Sequence, residues 1–300
     1  MKRSKIKWGV FLFMGFIVFS SLGPGKKKPV KTPDGFAFIP MGTTIVGKDT
    51  VLVQAFWISK TEVTNKDYRE FLADLKASGD VDAYNKALPD TLQWRDKLAY
   101  NEPYVEFYFR HPAYNDYPVV NISRAQAKMY CVWLTKKMRE TYGENINDVR
   151  LPYREEWVMA ARGNDPYAVY SWTTAVKTKQ KKGCLYGVPG NYLNIGAESI
   201  HFNDSTGKYE IGVPENGIAG YINDAADITA PVLSYWPNSY GLYNMSGNVA
   251  EMVQQKNIVV GGSWRSPGFD VRVESTAPFS GPCTDVGFRP VITYTGTIIK

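Results

Sequence analysis

Three cysteines, Cys131, Cys184 and Cys283, and two histidines, His111 and His201, are the scarcest reactive side chains in this 300-residue chain. A thiolate serves as a nucleophile or as a soft ligand for Cu(I) or zinc, and either role needs a base or a second ligand nearby. No histidine or second cysteine lies at short spacing from any of the three, so neither a structural zinc site nor a Cys/His nucleophile follows. Cys283, between Pro282 and Thr284, reads as an inert or structural thiol, with pairing to Cys184 as the alternative. His111 sits among aromatic residues and prolines, which favours packing or surface contact over general-base work. Glu155 and Glu156 are adjacent, so a helix sends one inward to a polar partner and the other outward; nothing selects a glycosidase pair. Gly261-Gly262 lacks the Lys and Ser/Thr of a phosphate-binding loop.

The elements that must hold these residues are short. With 20 Tyr, 14 Phe, 8 Trp, 26 Gly and 18 Pro, the chain favours brief segments joined by ordered turns over a helical bundle. Strands are expected at Phe36 to Pro40, Val51 to Ile58, Ile258 to Trp264 and Gly287 to Tyr294. Thr64 caps a helix whose Tyr68, Phe71, Leu72 and Leu75 share one face. Ser123 and Gln126 stand at capping-box spacing ahead of Ala127, Tyr130, Leu134 and Met138. A third helix follows Leu151-Pro152, with Pro152 in its first turn and Trp157, Ala160 and Ala161 facing inward. From about Asp80 to Tyr117 the chain is too aromatic for a linker and reads as an ordered excursion with some helix. No linker or repeat divides residues 34–300, which makes one α+β domain with little regular structure. Long loops of this kind favour bound cations or dense hydrogen bonding.

The first 33 residues stand apart. Lys2, Arg3, Lys5 and Lys7 precede an uncharged apolar run from Trp8 to Phe19, then Ser20, Ser21, a Gly-Pro-Gly turn and Lys26 to Lys28. This is the layout of an export signal across residues 1–23, followed by a basic linker at 24–33. The run is short for a transmembrane helix, yet no cleavage site is sharp, so an uncleaved inner-membrane anchor stays open. No cysteine precedes Cys131, so no lipid joins a cysteine at the mature start. Seven of the 35 Lys and Arg lie in the first 28 residues, leaving 28 against 29 Asp and Glu. A near-neutral domain carries no nucleic-acid footprint; Lys177, Lys179, Lys181 and Lys182 read as a solvated loop.

Six ordered segments carry a family likeness. They are Ser59-Lys-Thr-Glu-Val-Thr-Asn65, Tyr117-Pro-Val-Val120 with Ser123 to Trp133, Arg150-Leu-Pro-Tyr-Arg-Glu-Glu-Trp157, Pro237 to Glu251, Gly261-Gly-Ser-Trp264 and Gly287-Phe-Arg289. Together they resemble the formylglycine-generating enzyme, or sulfatase-modifying factor, domain, whose fold is α+β and C-type-lectin-like. Pro89-Asp-Thr91, Trp94, Tyr100-Asn-Glu-Pro103 and Tyr108 to Val119 further resemble the insertion of its GldK, PorK and GldJ branch, lipoproteins of gliding motility and type IX secretion. Those proteins carry an acylated cysteine after the signal; this chain has Ser20-Ser-Leu-Gly-Pro-Gly25.

The resemblance implies a copper-dependent oxidase with two active-site cysteines, which fall here at Ser266 and Val271. Ser263 is kept, the aromatic pair beside Glu251 is replaced by Ala250 and Met252, Arg272 matches the first Arg of the pattern, and Thr276 stands where the second is expected. No copper is therefore expected. The family's calcium ions would match Asn194, Ile195, Asp224 and Ala226 at one site and Gly247, Asn248, Val249 and Glu251 at the other, oxygen donors suited to calcium. The expected function is a non-catalytic interaction subunit of a periplasmic secretion or motility assembly, binding other envelope proteins, with oligomerisation and peptidoglycan contact left open. The alternatives are the oxidase itself, acting on a sulfatase cysteine, and a peptidoglycan- or glycan-binding module. Tyr104, Phe107 and Arg110 of the insertion are the candidate contact residues.

Overall fold

A computed structural model of the chain describes residues 31–97, 99–171, 200–203, 205–211, 227–268 and 270–296. In chain order the strands and helices are β1 (Phe36–Ile39), β2 (Gly42–Val46), β3 (Asp49–Val53), β4 (Phe56–Ser59), α1 (Asn65–Ala77), α2 (Val81–Ala87), α3 (Arg124–Tyr142), β5 (Val149–Arg150), α4 (Arg154–Arg162), β6 (Ile200–Asn203), β7 (Lys208–Ile211), β8 (Ala250–Met252), β9 (Ile258–Val260), β10 (Thr276–Pro278), β11 (Val286–Gly287) and β12 (Val291–Thr293). The export signal, the basic linker as far as residue 30, and the lysine-rich loop lie outside the described residues.

One four-stranded sheet has the order β1-β4-β12-β5 and is buried on both faces. Successive strand side chains point to opposite sides, so the register sorts them: Phe36, Trp57 and Ile292 face one core with Tyr68 and Phe71 of α1 and Tyr130 of α3. Ala37, Ile39, Phe56, Ile58 and Val291 face the other, against Trp157, Ala160 and Ala161 of α4. Two-sided burial explains why Phe56-Trp57-Ile58 is apolar without alternation. A second sheet, β10-β9-β8-β11, carries the residues around Glu251, with β11 parallel to β8.

The run Val51 to Ile58 is two strands rather than one. It breaks at Gln54-Ala55 because β3 pairs back on β2 as a hairpin while β4 turns to pair with β1. The expected cap and the expected box are both present: Thr64 Oγ1 accepts from the Asp67 N–H at 3.1 Å, and Ser123 Oγ accepts from the Gln126 N–H at 3.3 Å. Pro152 lies one residue before the α4 cap, not within the first turn, and Tyr153 takes the cap, its N–H donating to Glu156 Oε2 at 2.8 Å. Glu156 is the inward carboxylate, clamped by Arg150 at 2.7 Å, while Glu155 accepts from Gln255 Nε2 at 2.9 Å.

The aromatic excursion is ordered as expected. It contains α2, short 3-10 turns at Thr91–Trp94 and Pro112–Tyr114, and a π turn at Tyr104–Tyr108. Asn65, at the start of α1, donates Nδ2 to the Tyr108 and Tyr114 carbonyls at 3.0 Å, so the cap that begins the helix also fastens the excursion. Replacing Ser123 with Ala removes one acceptor of the α3 box and is expected to cost about 1 kcal/mol in urea unfolding. A loss indistinguishable from zero would show that the box is not stabilising.

Candidate functional site

The second sheet and the turns around it enclose a buried charge cluster. Arg289 is fully buried; its Nε donates to both Glu251 oxygens at 2.8 Å, and its Nη atoms reach the carbonyls of Ser59, Lys60 and Tyr243. Glu251 Oε2 also accepts from Trp157 Nε1 at 2.8 Å. Burial acts to lower the Arg289 pKa, but Glu251 by charge and hydrogen bond, with Glu62, holds it above its ordinary value. Glu62 is equally buried and lies 3.9 Å from Arg289, accepting from Asn248 Nδ2 at 2.9 Å and Asn244 Nδ2 at 3.1 Å. Two carboxylates thus share one cation, and desolvation pushes Glu62 up to about 7 against the pull of Arg289.

Beside this cluster runs the loop after β9. Gly261 and Gly262 adopt φ of +85° and +66°, and a Cβ on either would clash, at 2.9 Å from Trp157 and 2.6 Å from Val271. Val271 is therefore the wall under the turn, fully buried. Ser266 closes the turn from the other side: its Oγ accepts from the Ser263 N–H at 3.0 Å, and Ser263 Oγ donates to Asp285 Oδ2 at 3.2 Å. Ala250 and Met252 are both buried in β8. Cys283 is half-buried next to Asp285, and burial followed by that carboxylate pushes its thiol to about 12. Cys131 sits in the α1/α3 core, where burial raises it to about 12 as well. Both are free thiols; Cys184 lies outside the described residues. A thiol held near 12 supplies almost no thiolate at neutral pH.

Residues 23–294 match the sulfatase-modifying factor enzyme 1-like domain. The chain belongs to this family. The bovine protein named "Inactive C-alpha-formylglycine-generating enzyme 2" is 28% identical over 243 residues, covering 71% of this chain and 67% of its own length. The formylglycine-generating enzyme of Thermomonospora curvata is 33% identical over 136 residues, 45% of this chain and 32% of that enzyme. Among solved structures, Treponema denticola variable protein 1 superposes with a TM-score of 0.55 at 18% identity, over 86% of this chain and 95% of its own. PvdO from Pseudomonas aeruginosa gives 0.52 at 20%, over 86% and 94%; both share the fold.

Against the oxidase of the sulfatase-modifying factor family, this chain is a pseudoenzyme. Among the described residues Cys131 and Cys283 are unpaired thiols, and relatives named inactive are among its matches.

Asn194, Ile195, Asp224 and Ala226 lie outside the described residues. In the second set, Glu251 is engaged by Arg289 and Trp157, and Asn248 Oδ1 accepts from the Ala230 N–H at 2.8 Å. Only backbone carbonyls remain from Gly247 and Val249. Asn244 Oδ1 is buried without a hydrogen-bond partner, next to Glu62, whose oxygens accept from Asn248 and Asn244. A hard cation seated beside them would supply positive charge to the cluster. The signal was in the sequence, as the Glu of Ser59 to Asn65 and the Asn of Gly241-Leu-Tyr-Asn244. No group of three or more His, Cys, Asp or Glu is arranged for a metal among the described residues.

Within the excursion, Phe107 and Arg110 are exposed, whereas Tyr104 is half-buried against Trp94, ring centres 5.3 Å apart. His111 is also exposed and caps the Pro112–Tyr114 turn through Nδ1, accepting from Ala113 at 3.2 Å. It serves as a surface packing residue, its ring edge-on to Phe107.

Two outcomes follow. Arg289→Met strands two buried carboxylates and is expected to cost on the order of 3–5 kcal/mol in denaturant unfolding; a loss below about 1 kcal/mol contradicts the cluster's role. In EDTA, the stability contributed by protonated Glu62 is fully present below its unfolded value near 4.5 and is lost as pH rises through about 7. Melting in EDTA should therefore drop more from pH 5 to pH 8 for the native chain than for Glu62→Gln. Added calcium should restore the native chain at pH 8 and leave the variant unmoved. Parallel pH profiles with no calcium response would remove Glu62 from this role.

Proposed function

We propose that the protein is a non-catalytic interaction subunit, exported to the periplasm, in an envelope assembly of the gliding-motility and type IX secretion kind. The reading rests on the resemblance, which sets the family's two thiol positions at Ser266 and Val271; Val271 lies against Gly262, and Ser266 closes the turn. Neither is an empty slot waiting for a cysteine. The secretion-branch likeness of the excursion and the layout of residues 1–23 support the cellular setting. Exposed Phe107 and Arg110 support a contact role for the excursion, since aromatic and arginine side chains give large contact area at modest entropic cost.

The relatives include proteins named formylglycine-generating enzyme, which favours the oxidase as the second reading. The two separate in one pair of assays. Purified protein supplied with copper and a sulfatase-derived cysteine peptide is expected to leave the cysteine intact by mass spectrometry. Crosslinking in native envelopes is expected to yield partner adducts that fall severalfold in Phe107→Ala/Arg110→Ala with unchanged melting temperature. Formylglycine in the peptide sinks the pseudoenzyme reading; adducts insensitive to the double substitution place the contact surface elsewhere.

A further inference from the structure

Residues 229–232 form no regular secondary structure, yet Thr229, Ala230 and Val232 are all buried. Their hydrogen bonds run to two different parts of the molecule. Tyr108 OH donates its single proton to the Pro118 carbonyl at 2.7 Å, so Thr229 Oγ1 is the donor in the 2.7 Å bond between the two hydroxyls. The Ala230 N–H donates to Asn248 Oδ1 at 2.8 Å. Val232 is bonded on both sides: its N–H donates to the Asp116 carbonyl at 2.8 Å, and its carbonyl accepts from Asn244 Nδ2 at 3.1 Å. One set of bonds therefore holds the excursion. The other holds the buried charge cluster, where Asn244 and Asn248 both donate to Glu62.

Three features make these bonds a stiff link between the two parts. The bonded residues are buried, so a bond broken at either end leaves a polar group without water to replace its partner. Pro231, in the middle, has its φ fixed by the ring, which limits how far the two ends move independently. At the far end Tyr108 is fully buried and closes the π turn Tyr104–Tyr108, directly after exposed Phe107 and two residues before exposed Arg110. Displacing Thr229 therefore unseats the turn that presents those side chains.

We infer that residues 229–232 are a coupling strap, which ties the order of the excursion's contact face to the hydrogen bonds that Asn244 and Asn248 make in the buried cluster. A change at either end is felt at the other. The strap gives the interaction role proposed above a means of regulation. It rests on that reading only for its use by a partner, since the coupling is measurable in the protein alone.

Hydrogen–deuterium exchange of the full chain tests this without a partner. Asn248→Gly, tolerated at a φ of +65°, cuts the cluster end of the strap. It should speed exchange across residues 104–117 about fivefold, the opening expected for loss of one buried hydrogen bond, and leave residues 135–142 of α3 unchanged. Thr229→Val cuts the excursion end and should speed exchange both there and across residues 244–252. Because both act through one strap, the double variant should speed exchange in residues 104–117 by clearly less than the product of the single effects. Asn244→Gly, which frees the Val232 carbonyl at a φ of +53°, replaces Asn248→Gly if that variant does not fold. Changes confined to the segment substituted, a rise shared equally by α3, or a double effect equal to the product each overturn the coupling. The last would assign transmission to Val249, which packs in the Tyr108 cluster. Partner adducts insensitive to Phe107→Ala/Arg110→Ala, with the exchange pattern as expected, would instead count against the interaction role alone.

Discussion

Arg289 holds together parts of the chain that share no secondary structure. Its guanidinium meets the carbonyls that follow β4, the turn at Tyr243 and the carboxylate of Glu251 in β8, all away from water. A buried charge is costly to desolvate and is tolerated only where its hydrogen bonds are met. Each segment that supplies an acceptor is therefore fixed in place. That constraint explains how a domain of two- to five-residue strands keeps long loops in register. It also explains the buried Glu62, which shares the same cation and leaves the cluster one positive charge short.

The same rigidity accounts for the degenerate site. The Gly261-Gly262 turn is pressed between Trp157, whose indole N–H is fixed by Glu251, and Val271. Nothing in this packing uses a thiol. The buried valine and the turn-closing serine hold the loop by packing and one hydrogen bond.

Much of this was legible in the residues. Thr64 to Asp67 and Ser123 to Gln126 announce their helices because capping is local chemistry, readable at fixed spacing. Order in the Asp80 to Tyr117 segment followed from ring content alone. The split of Val51 to Ile58 was not legible, since pairing of β3 with β2 and of β4 with β1 is decided by distant partners. Nor were the partners of Asn248 and Glu251: motif spacing places the residues in one turn, but only the fold shows that Arg289, Trp157 and Ala230 bond to their side-chain oxygens. Pro152 falls two residues short of the first turn because Tyr153 offers the N–H that Glu156 accepts.

The central claim is that a sulfatase-modifying factor fold persists here without its copper chemistry. Competition of the purified, reduced protein with bicinchoninate for Cu(I) tests this without reference to any substrate. The account predicts that the chelator retains the metal, because Cys131 is buried and Cys283 is a high-pKa thiol beside a carboxylate. Withdrawal of one equivalent of Cu(I) by the native chain, abolished by Cys283→Ser, would contradict it.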